Sequence, residues 1–228
     1  MNIENLGEIK AVAFDIDGTL YKNWHLYLRM FFHLLRYNQF FIKYGLVRDT
    51  LHSEEQFPDF MDEQARRMAQ KLNTTTEDAK ERLDKIIYNG LKKYFAKIKA
   101  CTGAKECICK LKENGLKIAL LSDFPPEQKG EVWGIRQYCD VILGTEAVGA
   151  LKPSPIAFLE MAKKLEVSPE EILFVGNSHK FDVKGAKAAG MKSAWFVSRI
   201  SSLFQKKSDE AEITFCSYPK LQRMLLGK

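Results

Sequence analysis

Hydrophobic residues in this chain follow two patterns that alternate over most of its length. Short, continuous apolar runs occupy residues 9–16, 117–123 (KIALLSD), 140–145 (DVILGT), 171–177 (EILFVGN) and 193–198 (SAWFVS). They lack polar alternation and most are bounded by turn residues, so they predict strands buried on both faces of a parallel sheet. The stretch KPSPIAFLEMAKKLEV reads as a helix, with Ser154 as cap, Pro155 at the first helical position, and Ile156, Leu159, Ala162 and Leu165 or Val167 on one side. SPEE at 168–171 has a capping-box pattern, with room only for a short turn before the next strand. DVKGAKAAGM brings Val183, Ala186 and Ala189 to one face and ends at Gly190, a C-cap. Strands alternating with helices predict an α/β domain with a mainly parallel sheet and right-handed crossovers.

Residues 22–99 interrupt this alternation. No strand-like run occurs there, and TTTED at 74–78 supplies a helix start. Beyond it Ala79, Leu83, Ile86, Ile87, Leu91, Tyr94 or Phe95, and Ile98 recur at spacings of three and four. The pattern predicts an all-helical insertion after the first strand. Its first part, residues 24–48, is crowded with Phe, Tyr and Leu, carries Arg29, Arg36, Lys43 and Arg48, and holds no acid before Asp49. Basic residues break it too often for a membrane span of about 20 apolar residues. Helices burying one face against each other and the core are the expectation, with an aromatic substrate pocket, a dimer surface or contact with an anionic membrane as alternatives. The polar segment Ser201 to Glu212 reads as a mobile surface loop.

Composition adds little to this picture. With 228 residues, 46% hydrophobic and 28% charged, the chain has the make-up of a globular protein with a real core. A net charge of +6 suits anionic small molecules, anionic lipid or nucleic acid without choosing among them, and no nucleic-acid partner is expected on charge alone. Cys101, Cys107, Cys109, Cys139 and Cys216 form no CxxC pair, which predicts reduced, space-filling thiols. The N-terminus lacks the apolar segment of a secretory signal, so a cytoplasmic location is expected. Oligomeric state is not readable.

The candidate chemistry lies where the predicted strands end. Asp15 and Asp17, with Gly18 and Thr19, follow the first; Ser122 and Asp123 end the second; Asn177 and Ser178 end the fourth; Lys152 and Asp182 sit on nearby loops. In an open parallel sheet, ligands bind beyond those carboxyl ends. Taken singly, Asp-Gly is a common turn pair, Lys152 reads as a solvated side chain and His179 as a loop residue.

In order and strand context, Asp15-Ile16-Asp17-Gly18-Thr19-Leu20, Ser122, Lys152 and Gly176-Asn177-Ser178 with Asp182 resemble the four motifs of the haloacid dehalogenase-like (HAD) superfamily. The resemblance spans residues 9 to about 198 and implies a Rossmann-like three-layer core, residues 1–21 and 100–228, with a helical cap of the first type at 22–99. It implies a phosphatase with Asp15 as nucleophile and Asp17 as acid and base, and Gly18, Thr19, Ser122, Asp123 and Lys152 around the phosphate. Magnesium would bind at Asp15, Asp17, Asn177 and Asp182, and the partner would be a small phosphorylated substrate. An acid at position 17 disfavours carbon–halogen cleavage, whereas mutases share the pair. Asn177 stands where the family usually has an acid, and an amide oxygen binds the metal without a charge. That departure leaves open a weakened or non-catalytic binding protein.

Overall fold

The chain's structure, a computed structural model, describes residues 2–3, 6–53, 56–198 and 208–227. A short antiparallel pair, β1 (Asn2–Ile3) and β2 (Gly7–Glu8), precedes β3 (Ala11–Asp15). Strand β3 is followed in the chain by β4 (Lys117–Ser122), β5 (Val141–Gly144), β6 (Ile172–Gly176), β7 (Lys192–Phe196) and β8 (Ile213–Phe215). These six strands form one sheet in the order β5-β4-β3-β6-β7-β8, with every pair parallel. The five apolar runs correspond to β3 through β7.

Alternate residues of each central strand serve opposite faces, and both faces are covered. Val12, Phe14, Ile118, Leu120, Leu173 and Val175 pack with α7 (Ala104–Glu113) and α10 (Tyr218–Leu226). Ala11, Ala13, Ala119, Leu121, Ile172 and Phe174 pack with α8 (Pro155–Leu165) and α9 (Lys184–Ala188). The result is the three-layer arrangement expected of continuously apolar strands. Phe14, Phe158 and Phe174 are wholly buried, each contributing about 1.5–3 kcal/mol. In α8 the buried side is Ala157, Phe158, Met161, Ala162 and Leu165, while Leu159 is 44% exposed. This corrects the expected stripe, because the sheet lies one position round the helix from the Ile156–Leu159 row.

Between β3 and α7 run α1 (Asn23–Arg29), α2 (Phe31–Arg36), α3 (Asn38–Leu51), α4 (Phe60–Leu72), α5 (Thr76–Leu83) and α6 (Asn89–Phe95). Thr75 caps α5 by accepting from the Asp78 amide, as the Thr-rich start predicts. Ala79, Leu83, Ile86, Ile87, Leu91, Phe95 and Ile98 are all buried. The two ends of the insertion are tied together: Tyr21 bridges to Ala100, and the Cys101 amide donates to Leu20 O at 2.7 Å. The expected burial of one face holds for α1 and α3, but α2 buries none of its residues.

Among the described residues, no helix is long and apolar enough to cross a membrane. All five cysteines are unpaired thiols. Of the polar segment 201–212, residues 201–207 lie outside the described residues, and 208–212 form irregular backbone leading into β8.

Candidate active site

The parallel register brings the carboxyl ends of the central strands to one edge. Asp15 pairs with Leu121 and Gly176 with Trp195, so the residues that follow β3, β4 and β6 emerge side by side. Asp15, the last residue of β3, is 3% exposed and points at Lys152, whose Nζ donates to its Oδ1 at 2.7 Å. The same ammonium donates to Asp182 Oδ1 at 2.7 Å. Thr19, wholly buried, donates to Asp15 Oδ2 at 2.7 Å.

Asp17 has a separate set of partners. Its Oδ1 accepts from Tyr21 OH at 2.7 Å; its Oδ2 accepts from Ser122 Oγ at 2.7 Å and Lys129 Nζ at 3.0 Å. Unlike Asp15, it keeps 22% of its side chain open. The two carboxylates therefore differ in environment, which is how one site can run acid and base chemistry with similar groups. Burial pushes the Asp15 carboxyl up to about 7 against the pull of Lys152, with Asp182 and Asp17 adding repulsion. Burial acts upward on Asp17 too, but Lys129 and the bonds from Ser122 and Tyr21 outweigh it, so its carboxyl stays below the usual range.

Two backbone positions admit only glycine. Gly18 has φ +90°, and a Cβ there would stand 2.8 Å from Asn177 Nδ2. A Cβ on Gly176 would stand 2.3 Å from Asp182 Cβ, so the missing side chain lets Asp182 fold back over the strand end. Asp182 is held there by the turn His179–Val183, capped by Ser178, and its Oδ2 accepts from the Ser178 amide at 2.8 Å.

Of the residues expected around phosphate, Ser122 and Lys152 reach the two aspartates directly. Gly18 and Thr19 line the turn that supports them. Asp123 is placed differently: its Oδ1 accepts from Thr145 Oγ1 and from the Lys152 amide, so its carboxylate anchors the loop that presents Lys152. Of the residues expected at the metal, Asp15 and Asn177 converge, since Asp15 Oδ2 and Asn177 Oδ1 lie 2.7 and 3.1 Å from the one hydroxyl of Thr19. Both oxygens of Asp182 are already engaged by Lys152 and Ser178.

These hard oxygens suit a magnesium ion, though only one of the two converging side chains is charged. Charge balance points the same way. With Asp15 ionised, as a nucleophile must be, Asp15, Asp17 and Asp182 face Lys129 and Lys152, leaving one negative charge over before any phosphate arrives. Among the described residues, no group of three or more His, Cys, Asp or Glu side chains forms a metal cage.

Lys129, Tyr21 and His52 were not marked by any motif. Lys129 lies on the turn Pro126–Lys129, its side chain wholly buried between Phe95 of the insertion and Phe124, at 5.3 and 5.4 Å from their ring centres. His52 Nδ1 donates to Lys152 O at 2.6 Å, and its ring stacks on Phe181. A polar seam closes the insertion over this region. Arg48 of α3 pairs with Glu146 and donates to Asp123 O, Tyr88 donates to Glu146 at 3.0 Å, and Gln128 donates to Tyr88 O at 2.9 Å. His179 faces away, towards Ser208 and Glu210, with its ring against Trp195.

Comparison with known proteins gives concordant matches. A family model described as haloacid dehalogenase-like hydrolase matches residues 9–190. A glyceraldehyde 3-phosphate phosphatase of Pyrococcus abyssi is 29% identical, over 82% of this chain and 81% of its own length. The pyrophosphatase PpaX of Halalkalibacterium halodurans is also 29% identical, over 82% and 83%. Among solved structures, the HAD-hydrolase YfnB of Bacillus subtilis, bound to magnesium, superposes with a TM-score of 0.68 at 15% identity, covering 96% of this chain and 99% of that one.

Proposed function

The chain belongs to the haloacid dehalogenase-like hydrolases, and from that premise we propose that it is a magnesium-dependent phosphatase of a small phosphorylated metabolite. The observation that supports this most is the division of labour at the strand ends. Asp15 is held by Lys152 and Thr19, while Asp17, two residues on, is held separately by Ser122, Tyr21 and Lys129. The relatives named as a glyceraldehyde 3-phosphate phosphatase and a pyrophosphatase point to the same class of reaction.

In this reading an Asp15 oxygen attacks phosphorus, forming the O–P bond of an aspartyl-phosphate as the ester P–O bond breaks. The negative charge of the bound phosphate raises the Asp17 carboxyl from its depressed position, so that it takes a proton from solvent through its open side and gives it to the departing alkoxide. It then takes a proton from water, which attacks the same phosphorus, releasing inorganic phosphate and restoring the Asp15 carboxylate. Ser122 and Lys129, both within reach of Asp17 Oδ2, donate to phosphoryl oxygens, and Lys152 offsets the charge of nucleophile and phosphate together. Asp15, the Asp17 carbonyl and Asn177, with Asp182 as an outer partner, would hold a magnesium ion, which would supply the positive charge that this cluster lacks. The YfnB structure, bound to magnesium, is a precedent on the same fold.

The helices of 22–99 act as a cap over a core made of 1–21 and 100–228, and the seam around Arg48 and Glu146 is the contact that closes it. Closure of this kind excludes water and completes a site. The five free thiols fit a reducing cytoplasm.

The test is phosphate release across a panel of sugar, triose, glycolate and nucleotide phosphates and an aryl phosphate, with magnesium and with chelator. Hydrolysis that needs magnesium and disappears in Asp15→Asn is the expected result. No release from any ester, or an Asp15→Asn enzyme as fast as the parent, would overturn the proposal.

A further inference from the structure

Eight of the eleven large hydrophobic side chains exposed among the described residues lie between Trp24 and Leu46. Trp24, Leu28, Phe31, Phe32, Leu35 and Ile42 are 60%, 67%, 52%, 81%, 55% and 64% exposed. They are not scattered. Helices α1, α2 and α3 follow one another with bends at Met30 and Tyr37, and the amides of both bend residues still donate to the carbonyl four positions back. Within α1, Trp24 and Leu28 are four apart and lie opposite the buried Leu26; α2, with Phe31, Phe32 and Leu35, buries none of its residues. In α3 Ile42 lies opposite the buried Phe40 and Tyr44, so three successive helices carry an outward apolar stripe.

The charges beside the stripe have one sign. Arg29, Arg36 and Lys43 recur every seven residues, one on each of the three helices, and no Asp or Glu occurs from 22 to 48. Arg36 and Lys43 also line a cavity of about 540 Å³ with Arg82 and Lys85. The cavity lining has basic side chains and no acidic ones, with Arg82 paired to Asp78 behind it.

We propose that this face docks the protein on the surface of a bilayer containing anionic phospholipid. The stripe would sit among the upper acyl chains and the basic residues would meet lipid phosphates. Exposed Trp, Tyr and Phe suit that boundary, where one side of the ring is apolar and the other wet. A second copy of the chain fits less well, because two such faces would bring like charges together with no acid to compensate them. Trp24 also lines a cavity that reaches Gly18 and Asn177, so the docked face borders the catalytic loop.

The test is co-sedimentation of the full chain with phosphatidylcholine vesicles, with and without phosphatidylglycerol, at low and high salt. Binding should require the anionic lipid and weaken as salt rises. Arg36→Gln with Lys43→Gln should weaken partitioning about 25-fold, at about five-fold per charge. Leu28→Ser with Phe32→Ser should weaken it at least about ten-fold. Neither pair should change the melting temperature or hydrolysis of a soluble phosphate ester. Protein that stays in the supernatant with anionic vesicles at low salt overturns the proposal. Equal binding by parent and both variants does so too, as does a solution dimer that Phe32→Ser dissociates in a chain that ignores vesicles.

Discussion

Lys129 Nζ stands 3.0 Å from Asp17 Oδ2, with none of the lysine side chain open to water. Phe95 and Phe124 flank the ammonium, so its nearest charged partner is the carboxylate proposed to move protons. A buried cation at that distance sets both the charge of Asp17 and the geometry of whatever oxygen joins it.

Replacing Lys129 with Met should therefore affect chemistry more than folding. Loss of one buried donor to the phosphoryl group should lower kcat/KM by about 10²–10³-fold. With the ammonium gone, the Asp17 carboxyl rises from its depressed position, so the basic limb of the kcat/KM profile, where Asp17 loses the proton it must donate, moves to higher pH. A profile in which neither the height nor the basic limb changes would remove Lys129 from the site.

Asn177 offers a gain-of-binding prediction. Its Oδ1 shares the Thr19 hydroxyl with Asp15, so Asn177→Asp adds a negative charge to the converging oxygens without changing shape. Magnesium measured by isothermal titration should bind about ten-fold more tightly or better, since ligand charge count tunes such sites. Unaltered affinity would mean that the ion sits elsewhere.

A stability prediction concerns Glu63 of α4, which is bonded to Arg66 and Arg67. The Arg66 bond is the main cause that lowers its carboxyl to about 2; burial, next in size, pulls upward, and Arg67 helps to outweigh it. A folded pKa below the unfolded value means the stabilisation is present above about 4.5 and is lost as pH falls towards about 2. Glu63→Gln should cost about 1 kcal/mol at pH 7, the upper end for a partly solvated pair, and nothing near pH 2. Denaturant melts at the two pH values check this, and an equal difference at both would contradict it.

The parts of the fold legible in advance were those with many residues repeating one physical condition. Strands buried on both faces must be apolar throughout, so β3 to β7 stood out, and Asp15 and Asp17 stood out because they break such a run. The three-residue β8 and the β1–β2 pair have too few residues for any period to show. The buried side of α8 departs from the stripe its spacing predicts because apolar residues continue round that helix, and only the sheet decides which of them face inward.

The candidate site was half legible for a related reason. Asp15, Asp17, Ser122, Lys152 and Asp182 are tied to strand ends, whose positions the apolar runs reveal. Lys129 lies on a short turn within PPEQKG, where a lysine has the look of solvated surface, and only the aromatic rings of Phe95 and Phe124 make it an interior charge. Asp123, adjacent to Ser122, seemed to share its task, yet successive residues leaving a strand point opposite ways, and its carboxylate turned to Thr145.

The central claim is that phosphorus is transferred to Asp15 itself. Asp17→Asn leaves that nucleophile intact but cannot activate water, so an aryl phosphate, whose leaving group needs no proton, should load the site and stop there. Acid quench, proteolysis and mass spectrometry should then find a hydroxylamine-sensitive phosphoryl adduct on the peptide carrying Asp15. Release of the aryl alcohol with no adduct, or with the adduct on another residue, would contradict the account.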